Sequence, residues 1–288
     1  MTLRLAQFTR TGSPGARLGV VQDDHLIDLH DAGLPTDLVG LLAGDGLDAA
    51  RQAAASAKAS SRIDLASVQW LPPVMRPGKI ICLGLNYADH AAEGGHATPE
   101  YPSLFLRCAT SLIGHRAGLV RPHVSDKLDY EAELAVVIGQ RAHGLKVANA
   151  LDAVAGYACF NDGTLRDYQR KTSQWTIGKN FDGTGAFGPW FVPASELPAG
   201  AKGLKIESRL NGQVMQSDNT KNLMVPVAET LQLLTEAMTL EPGDVVIMGT
   251  PAGVGYARKP PVWMKPGDTI EIEIEGIGIL SNPIVQQD

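Results

Sequence analysis

Hydrophobic residues along this chain fall mostly in short runs and alternations, and they recur at helical spacing over any length in only two places. Leu18-Gly19-Val20-Val21 and Leu26-Ile27-Asp28-Leu29 read as short strands around the turn Gln22-Asp23-Asp24-His25. The Ala- and Leu-rich segment from Asp37 to Ala59 has helical spacing, broken by Gly44 and Gly46. Leu71-Pro72-Pro73 ends that pattern, because proline halts regular pairing. Lys79 to Gly84 then reads as a buried strand, and Asn86 to Gly95 starts as a helix and stops at paired glycines. Further on, strands are expected over Glu131–Ile138, Ala155–Phe160, Leu204–Leu210, Val245–Met248 and Thr269–Ile274. The second helical stretch runs from Pro226 to Met238, with Val227, Thr230, Leu231 and Leu234 on one face. The pattern predicts an α+β, mainly β fold. A small α/β module fills residues 1–72, and an antiparallel β-roll or barrel-like core fills 73–288.

Composition narrows the functions open to such a chain. A length of 288 residues supports a large core, and 44% hydrophobic and 19% charged residues are ordinary for a globular protein. A net charge of -6 and a pI near 5.6 argue against a nucleic-acid partner, and no basic run offsets them. No apolar run is long enough to span a bilayer, and the first ten residues lack the apolar centre of a signal peptide. Cys82, Cys108 and Cys159 have neither disulfide nor zinc spacing. All three sit in apolar, strand-like runs, so the expectation is buried free thiols in a reducing compartment, the cytoplasm.

The chemistry concentrates in five places. In the strand Leu128-Asp129-Tyr130-Glu131-Ala132-Glu133-Leu134-Ala135-Val136-Val137-Ile138-Gly139, Glu131 and Glu133 share a face, roughly 7 Å apart by strand geometry. Two like charges in an apolar strand call for a cation between them, and a hard divalent metal prefers carboxylate oxygen. A solvated edge strand is the alternative. Asp162 closes the strand ending in Phe160-Asn161, where it serves either as a helix N-cap or as a third metal oxygen. His90 and Glu93 stand three apart on a short helix. They form either a surface contact or a carboxylate-held imidazole able to activate water, with Gly94-Gly95 letting the segment move as a lid. Lys179 in an apolar setting would attract an anionic oxygen, although taken alone it reads as a surface lysine. The turn Gly249-Thr250-Pro251 offers backbone N–H groups and a hydroxyl to a carboxylate, or is simply a tight turn. Gly183, Gly185 and Gly188 mimic a dinucleotide motif, but Pro189-Trp190-Phe191 cannot open the helix it needs.

The order of these motifs resembles the fumarylacetoacetate hydrolase (FAH) family. It runs from Asn86-Tyr87-x-x-His90-x-x-Glu93 through Asp129-Tyr130-Glu131-x-Glu133-Leu134 and Asn161-Asp162 with Arg166-Asp167-x-Gln169. Gly178-Lys179-x-Phe181-Asp182 and Gly249-Thr250-Pro251-x-Gly253-Val254-Gly255 follow. The resemblance covers about Lys79 to Val285 and implies a mixed β-sandwich roll, usually homodimeric. It implies Mg²⁺ or Mn²⁺, with Ca²⁺ as a further choice, on Glu131, Glu133 and Asp162. It also implies a base dyad His90–Glu93, with Lys179 near the metal-held oxo group and Gln169 and Thr250 on the substrate. Arg107, Arg166, Arg170 and Lys171 are candidates for selecting a diacid, with Arg107 taken as a substrate contact. Gly163-Thr164-Leu165 departs from the family pattern, and Leu165 is expected to reshape the pocket. The implied activity is metal-dependent hydrolysis of the C3–C4 bond of an acylpyruvate, a 2,4-dioxo acid, to pyruvate and a carboxylic acid. Decarboxylation of an oxaloacetate-like acid and isomerisation of a hydroxy-dienedioate are alternatives on the same scaffold. A catalytically silent metal-binding interaction protein is an alternative of another class.

Overall fold

The computed structural model describes residues 2–10, 12–95 and 101–288. The strand Ala132–Ile138 is buried at every residue, because both faces of its sheet are covered. Leu134, Val136 and Ile138 face one core, together with Tyr157, Cys159 and Val192. Ala135 and Val137 face the other, together with Ala158, Phe160 and Phe187.

Ala132–Ile138 pairs antiparallel with Val154–Asp162 on one side and with Val245–Ile247 on the other. Beyond Val245–Ile247 come Ile80–Gly84, in parallel, and the antiparallel edge strand Ser103–Arg107. Beyond Val154–Asp162 comes Gly185–Pro193. There the sheet runs on into the N-terminal module, because Leu5 of Leu5–Arg10 pairs with Phe191. Ser13–Gln22, His25–Asp28 and Arg62–Asp64 continue it, and Val68–Leu71 also pairs with the first strand. The helix-forming segment of that module splits into Leu38–Leu42 and Gly46–Ser56, with Gly44 between them at φ 72. Asp37 caps the first by accepting the Gly40 N–H at 2.9 Å. Leu38, Leu41 and Ala50 pack on the face carrying Ala135, Val137 and Phe160.

A second, five-stranded sheet covers the opposite face. Its order is Gln213–Asn219, Lys205–Leu210, Thr269–Ile274, Gly278–Gln286 and Leu119–Arg121. Ile206, Ile270, Ile272, Ile274 and Leu280 meet Leu134, Val136 and Ile138 in the shared core. The helix Val227–Ala237 buries Val227, Thr230, Leu231 and Leu234, the face its spacing predicts. The result is a mainly β, mixed-sheet sandwich, in agreement with the expected fold class.

Two local expectations are corrected. The strand expected across Leu128–Gly139 is broken into Leu128–Asp129 and Ala132–Ile138. The reason is Asp129, whose buried carboxylate accepts the N–H groups of Tyr130, Gly255 and Tyr256 and so turns the chain. Cys82 and Cys159 are buried, but Cys108 is exposed, just past the edge strand Ser103–Arg107. His96 lies outside the described residues.

Candidate metal centre and active site

Antiparallel register brings the acidic residues together. Glu133 pairs with Phe160, and the Asp162 N–H donates to the Glu131 carbonyl at 3.0 Å. Asp162 is two residues beyond Phe160, so it lies on the same sheet face as Glu133. One carboxylate oxygen from each of Glu131, Glu133 and Asp162 lies within 4.8 Å of the others, and all three residues are buried. Asp162 ends its strand and does not cap the helix that follows, whose N-cap is Leu165.

Three buried cations surround this cluster. Lys179, at the end of the short helix Thr176–Lys179, donates to Glu131 at 2.5 Å and to Asp162 at 2.6 Å. Arg166 donates to Glu131 at 2.6 Å and to Asp129 at 2.8 Å. Arg107 donates to Asp162 from the far side, and also to Ser111, Thr184 and the Gly163 carbonyl. Burial pushes the Glu131 carboxyl up, but Arg166, Lys179 and His90 together outweigh it and hold it well below the usual carboxylate range. Glu133 goes the other way. Burial raises it strongly and the charges of Asp162 and Glu131 raise it further, with Lys179 and the Gly249 N–H opposing them. Burial lowers the affinity of Lys179 for its proton, yet Asp162 and Glu131 more than restore it, so the ammonium stays charged.

Glu133 is the under-neutralised member. Its hydrogen-bond partner among the described residues is the Gly249 N–H, at 2.6 Å. Gly249 holds φ 90, and a Cβ there would stand 2.9 Å from Asn86 Cβ, so only glycine brings that amide to the carboxylate. A donor set of three buried carboxylates, one of them short of positive charge, suits a hard divalent cation.

His90 and Glu93 lie on the helix Ala88–Glu93. Their Nδ1 and Oε1 atoms are 2.9 Å apart. Since the carboxylate can only accept, Nδ1 carries the proton and Nε2 is left basic. Glu93 in turn accepts the Gly253 N–H, at 3.1 and 2.9 Å to its two oxygens. Asn86 anchors the start of this segment. Its Nδ2 donates to the Met248 and Val225 carbonyls, and its Oδ1 accepts the Val225 N–H.

A cavity of about 150 Å³ gathers these groups. His90, Glu131, Glu133, Asp162, Lys179, Gln169 and Thr250 all line it, as do Arg166, Arg170 and Tyr256. Leu83, Leu85, Phe105 and Trp175 form its apolar side. Gln169 accepts from Arg166 at 3.0 Å, and Thr250 accepts from Gln216 at 2.7 Å, which leaves the threonine hydroxyl proton available. Two expectations fail here. Arg107 does not line the cavity, because its side chain is fully buried behind Asp162 with its donors committed. Leu165 does not reshape the pocket, because it pairs with Leu128 and lies in the core.

Sequence reasoning gave no role to Asp129, Asn86, Gln216 or Tyr256. Asp129 and Asn86 stood in the quoted motifs without a function of their own, and Gln216 and Tyr256 carried no signal. The glycine pattern at 183–188 has a packing explanation instead of a nucleotide one: a Cβ on Gly185 would stand 2.7 Å from the Arg107 guanidinium.

Fold and site together define a class: a mixed-sheet scaffold with a buried three-carboxylate centre, an imidazole and an ammonium in one cavity. Residues 79–285 match the family described as Fumarylacetoacetate (FAA) hydrolase C-terminal, and the chain belongs to this family. It is 36% identical over 293 residues to the mitochondrial oxaloacetate tautomerase of Xenopus laevis, covering 99% of this chain and 91% of the relative. A fumarylacetoacetate hydrolase from psychrophilic Exiguobacterium antarcticum superposes with a TM-score of 0.84 at 35% identity, covering 99% and 100% of the two chains. Maleylpyruvate hydrolase from Sphingobium sp. SYK-6, solved with manganese(II) and pyruvate, superposes at 0.80 with 31% identity and 99% and 100% coverage. Among the described residues no helix is long and apolar enough to cross a membrane.

Proposed function

We propose that this protein is a divalent-metal enzyme that hydrolyses the C3–C4 bond of a small 2,4-dioxo acid. The carrying observation is His90, which Glu93 holds by its Nδ1 and which lines one cavity with the acidic triad and Lys179. Glu131, Glu133 and Asp162 would hold the ion, with Mg²⁺ or Mn²⁺ suited to an all-oxygen set. Bound there, the ion would supply Lewis-acid polarisation of a substrate oxygen.

The chain's own residues supply the rest. His90 Nε2 takes a proton from water, and Glu93 stabilises the imidazolium that results. The hydroxide adds to the C4 carbonyl carbon. The C3–C4 bond then breaks, and its electron pair passes into the enolate of the departing pyruvate. C3 recovers a proton from His90, so one water is consumed and a carboxylic acid and pyruvate are formed. The Lys179 ammonium faces the developing oxyanion. Gln169 and Thr250 orient the substrate carboxylate and oxo groups.

A second reading is keto–enol tautomerisation of an oxaloacetate-like acid. It is favoured by the nearly full-length similarity to the Xenopus laevis tautomerase. Both readings pass through an enolate, and they differ in whether water attacks carbon. The test is metal-stripped protein incubated with acylpyruvates and with oxaloacetate, with and without Mg²⁺ or Mn²⁺, and followed by NMR. Metal-dependent release of pyruvate and a second acid supports hydrolysis. Faster enol–keto exchange of oxaloacetate with no cleavage product supports the tautomerase, and pyruvate with CO₂ would make the protein a decarboxylase.

The expected homodimer has a candidate contact in the edge strand Ser103–Arg107, which exposes Leu104 and Leu106. Light scattering at one chain mass would reject it. Two buried free thiols accord with a reducing compartment, the cytoplasm among them.

A further inference from the structure

Three arginines lie around the active-site region, and two of them have their donors committed. Arg107 is held by Ser111, Asp162, Gly163 and Thr184. Arg166 is held by Asp129, Glu131 and Gln169. Arg170 differs. It lines the cavity, is exposed at its mouth, and its guanidinium has no carboxylate, carbonyl or hydroxyl partner among the described residues. What positions it is a ring: the guanidinium carbon lies 4.5 Å from the centroid of Tyr256.

Stacking of this kind fixes the plane of a guanidinium without using any of its N–H groups. The donors remain free to grip a carboxylate with two parallel bonds. The arrangement also concentrates positive charge. Arg166 lies 4.5 Å from the same ring, so the two guanidinium carbons are separated by no more than twice that distance. Arg166 is balanced by its carboxylates, and Arg170 is not. Among the lining groups, Arg166, Arg170 and Lys179 match Glu131, Glu133 and Asp162 in number, so a divalent cation on the triad leaves the cavity with excess positive charge.

We infer that Arg170 is a specificity-determining residue, receiving the second carboxylate of a short-chain 2-oxo diacid whose first carboxylate and oxo group lie at the acidic triad. The assignment rests on the proposed 2-oxo acid chemistry for the placement of the first carboxylate. Arg166 and Arg170 are four residues apart across the helix Arg166–Gln169, so they project from the same side. Arg166 reaches inward to Glu131, and Arg170 remains at the mouth, where the far end of an extended substrate would emerge.

The test is calorimetric titration of the Mg²⁺-loaded protein and its R170Q variant with pyruvate, oxaloacetate, 2-oxoglutarate and 2-oxoadipate. The wild type is expected to bind at least one diacid tenfold or more tighter than pyruvate. In R170Q that ratio is expected to collapse by about tenfold, the modest size reflecting an exposed charge-assisted contact. R170K keeps the charge but not the fork and should fall between the two. A wild type that binds no diacid better than pyruvate overturns the assignment, as does a ratio unchanged in R170Q. If the ratio collapses as expected and yet no 2-oxo acid is turned over, the proposed reaction is wrong and the binding role of Arg170 stands.

Discussion

Replacing Arg107 with methionine separates a structural cation from a substrate contact. The Arg107 and Asp162 side chains are both fully buried. Arg107→Met keeps much of the apolar volume and removes the bonds to Asp162, Gly163, Thr184 and Ser111. Breaking one partner of a buried ion pair costs about 3–5 kcal/mol. The lower end applies here, because Lys179 still holds the other Asp162 oxygen at 2.6 Å. Arg107→Met should therefore lose about 3 kcal/mol in metal-free protein, read from urea midpoints at unchanged slope. A divalent ion that binds the folded state alone should return about 2.7 kcal/mol at roughly one hundred times its dissociation constant. Arg107→Lys, keeping charge without the fork, should lose less. A variant within about 1 kcal/mol of the wild type, with KM raised and metal affinity intact, would refute the reasoning and return Arg107 to the substrate.

Three further outcomes follow from the same geometry. His90→Ala should lower turnover about 10²–10⁴-fold while calorimetry shows metal affinity retained, and full turnover would remove His90 from the reaction. Gly156→Ala should destabilise the fold by about 3 kcal/mol in urea, because its Cβ would stand 2.1 Å from the Val192 carbonyl oxygen in a buried strand pair, and a loss under about 0.5 kcal/mol would contradict that packing. Burial, with Arg116 nearby, lowers the His115 pKa from 6.5 to about 4, and its Nδ1 accepts the Ser281 N–H at 3.1 Å. Between those values the unfolded chain binds the proton and the folded one refuses it. Stability should therefore fall as pH drops from 6.5 to about 4, by about 3 kcal/mol in all, and His115→Gln should flatten that part of the denaturation profile. An unchanged profile in His115→Gln would assign the acid sensitivity to other groups.

Much of the site was legible because its signals are local. Glu131 and Glu133 stand two apart at the start of a strand, and His90 and Glu93 meet through helical spacing, so each pair is set by neighbours in the chain. Asp162 was legible as a strand-end carboxylate, and the helix Pro226–Met238 by its apolar stripe. The misreadings share the opposite cause. Asp129 breaks its strand because it captures N–H groups 126 and 127 residues away. Cys108 was expected inside because its run is apolar, but that run is a sheet edge with no neighbour beyond it among the described residues.

Local pattern in the chain therefore sets the elements and the kind of chemistry: alternating strands, one clear amphipathic helix, carboxylates for a hard cation, and an imidazole held by a carboxylate. Which charges neutralise which is settled only when the chain is folded. Arg107 reaches Asp162 across 55 residues, Lys179 reaches Glu131 across 48, and Gly249 offers its amide to Glu133 across 116. Those partnerships depend on register and burial, and in a low-dielectric interior they hold Glu131 ionised and keep Lys179 charged. The separate fates of Arg107 and Arg170, one behind the metal centre and one at the cavity mouth, come from that three-dimensional pairing.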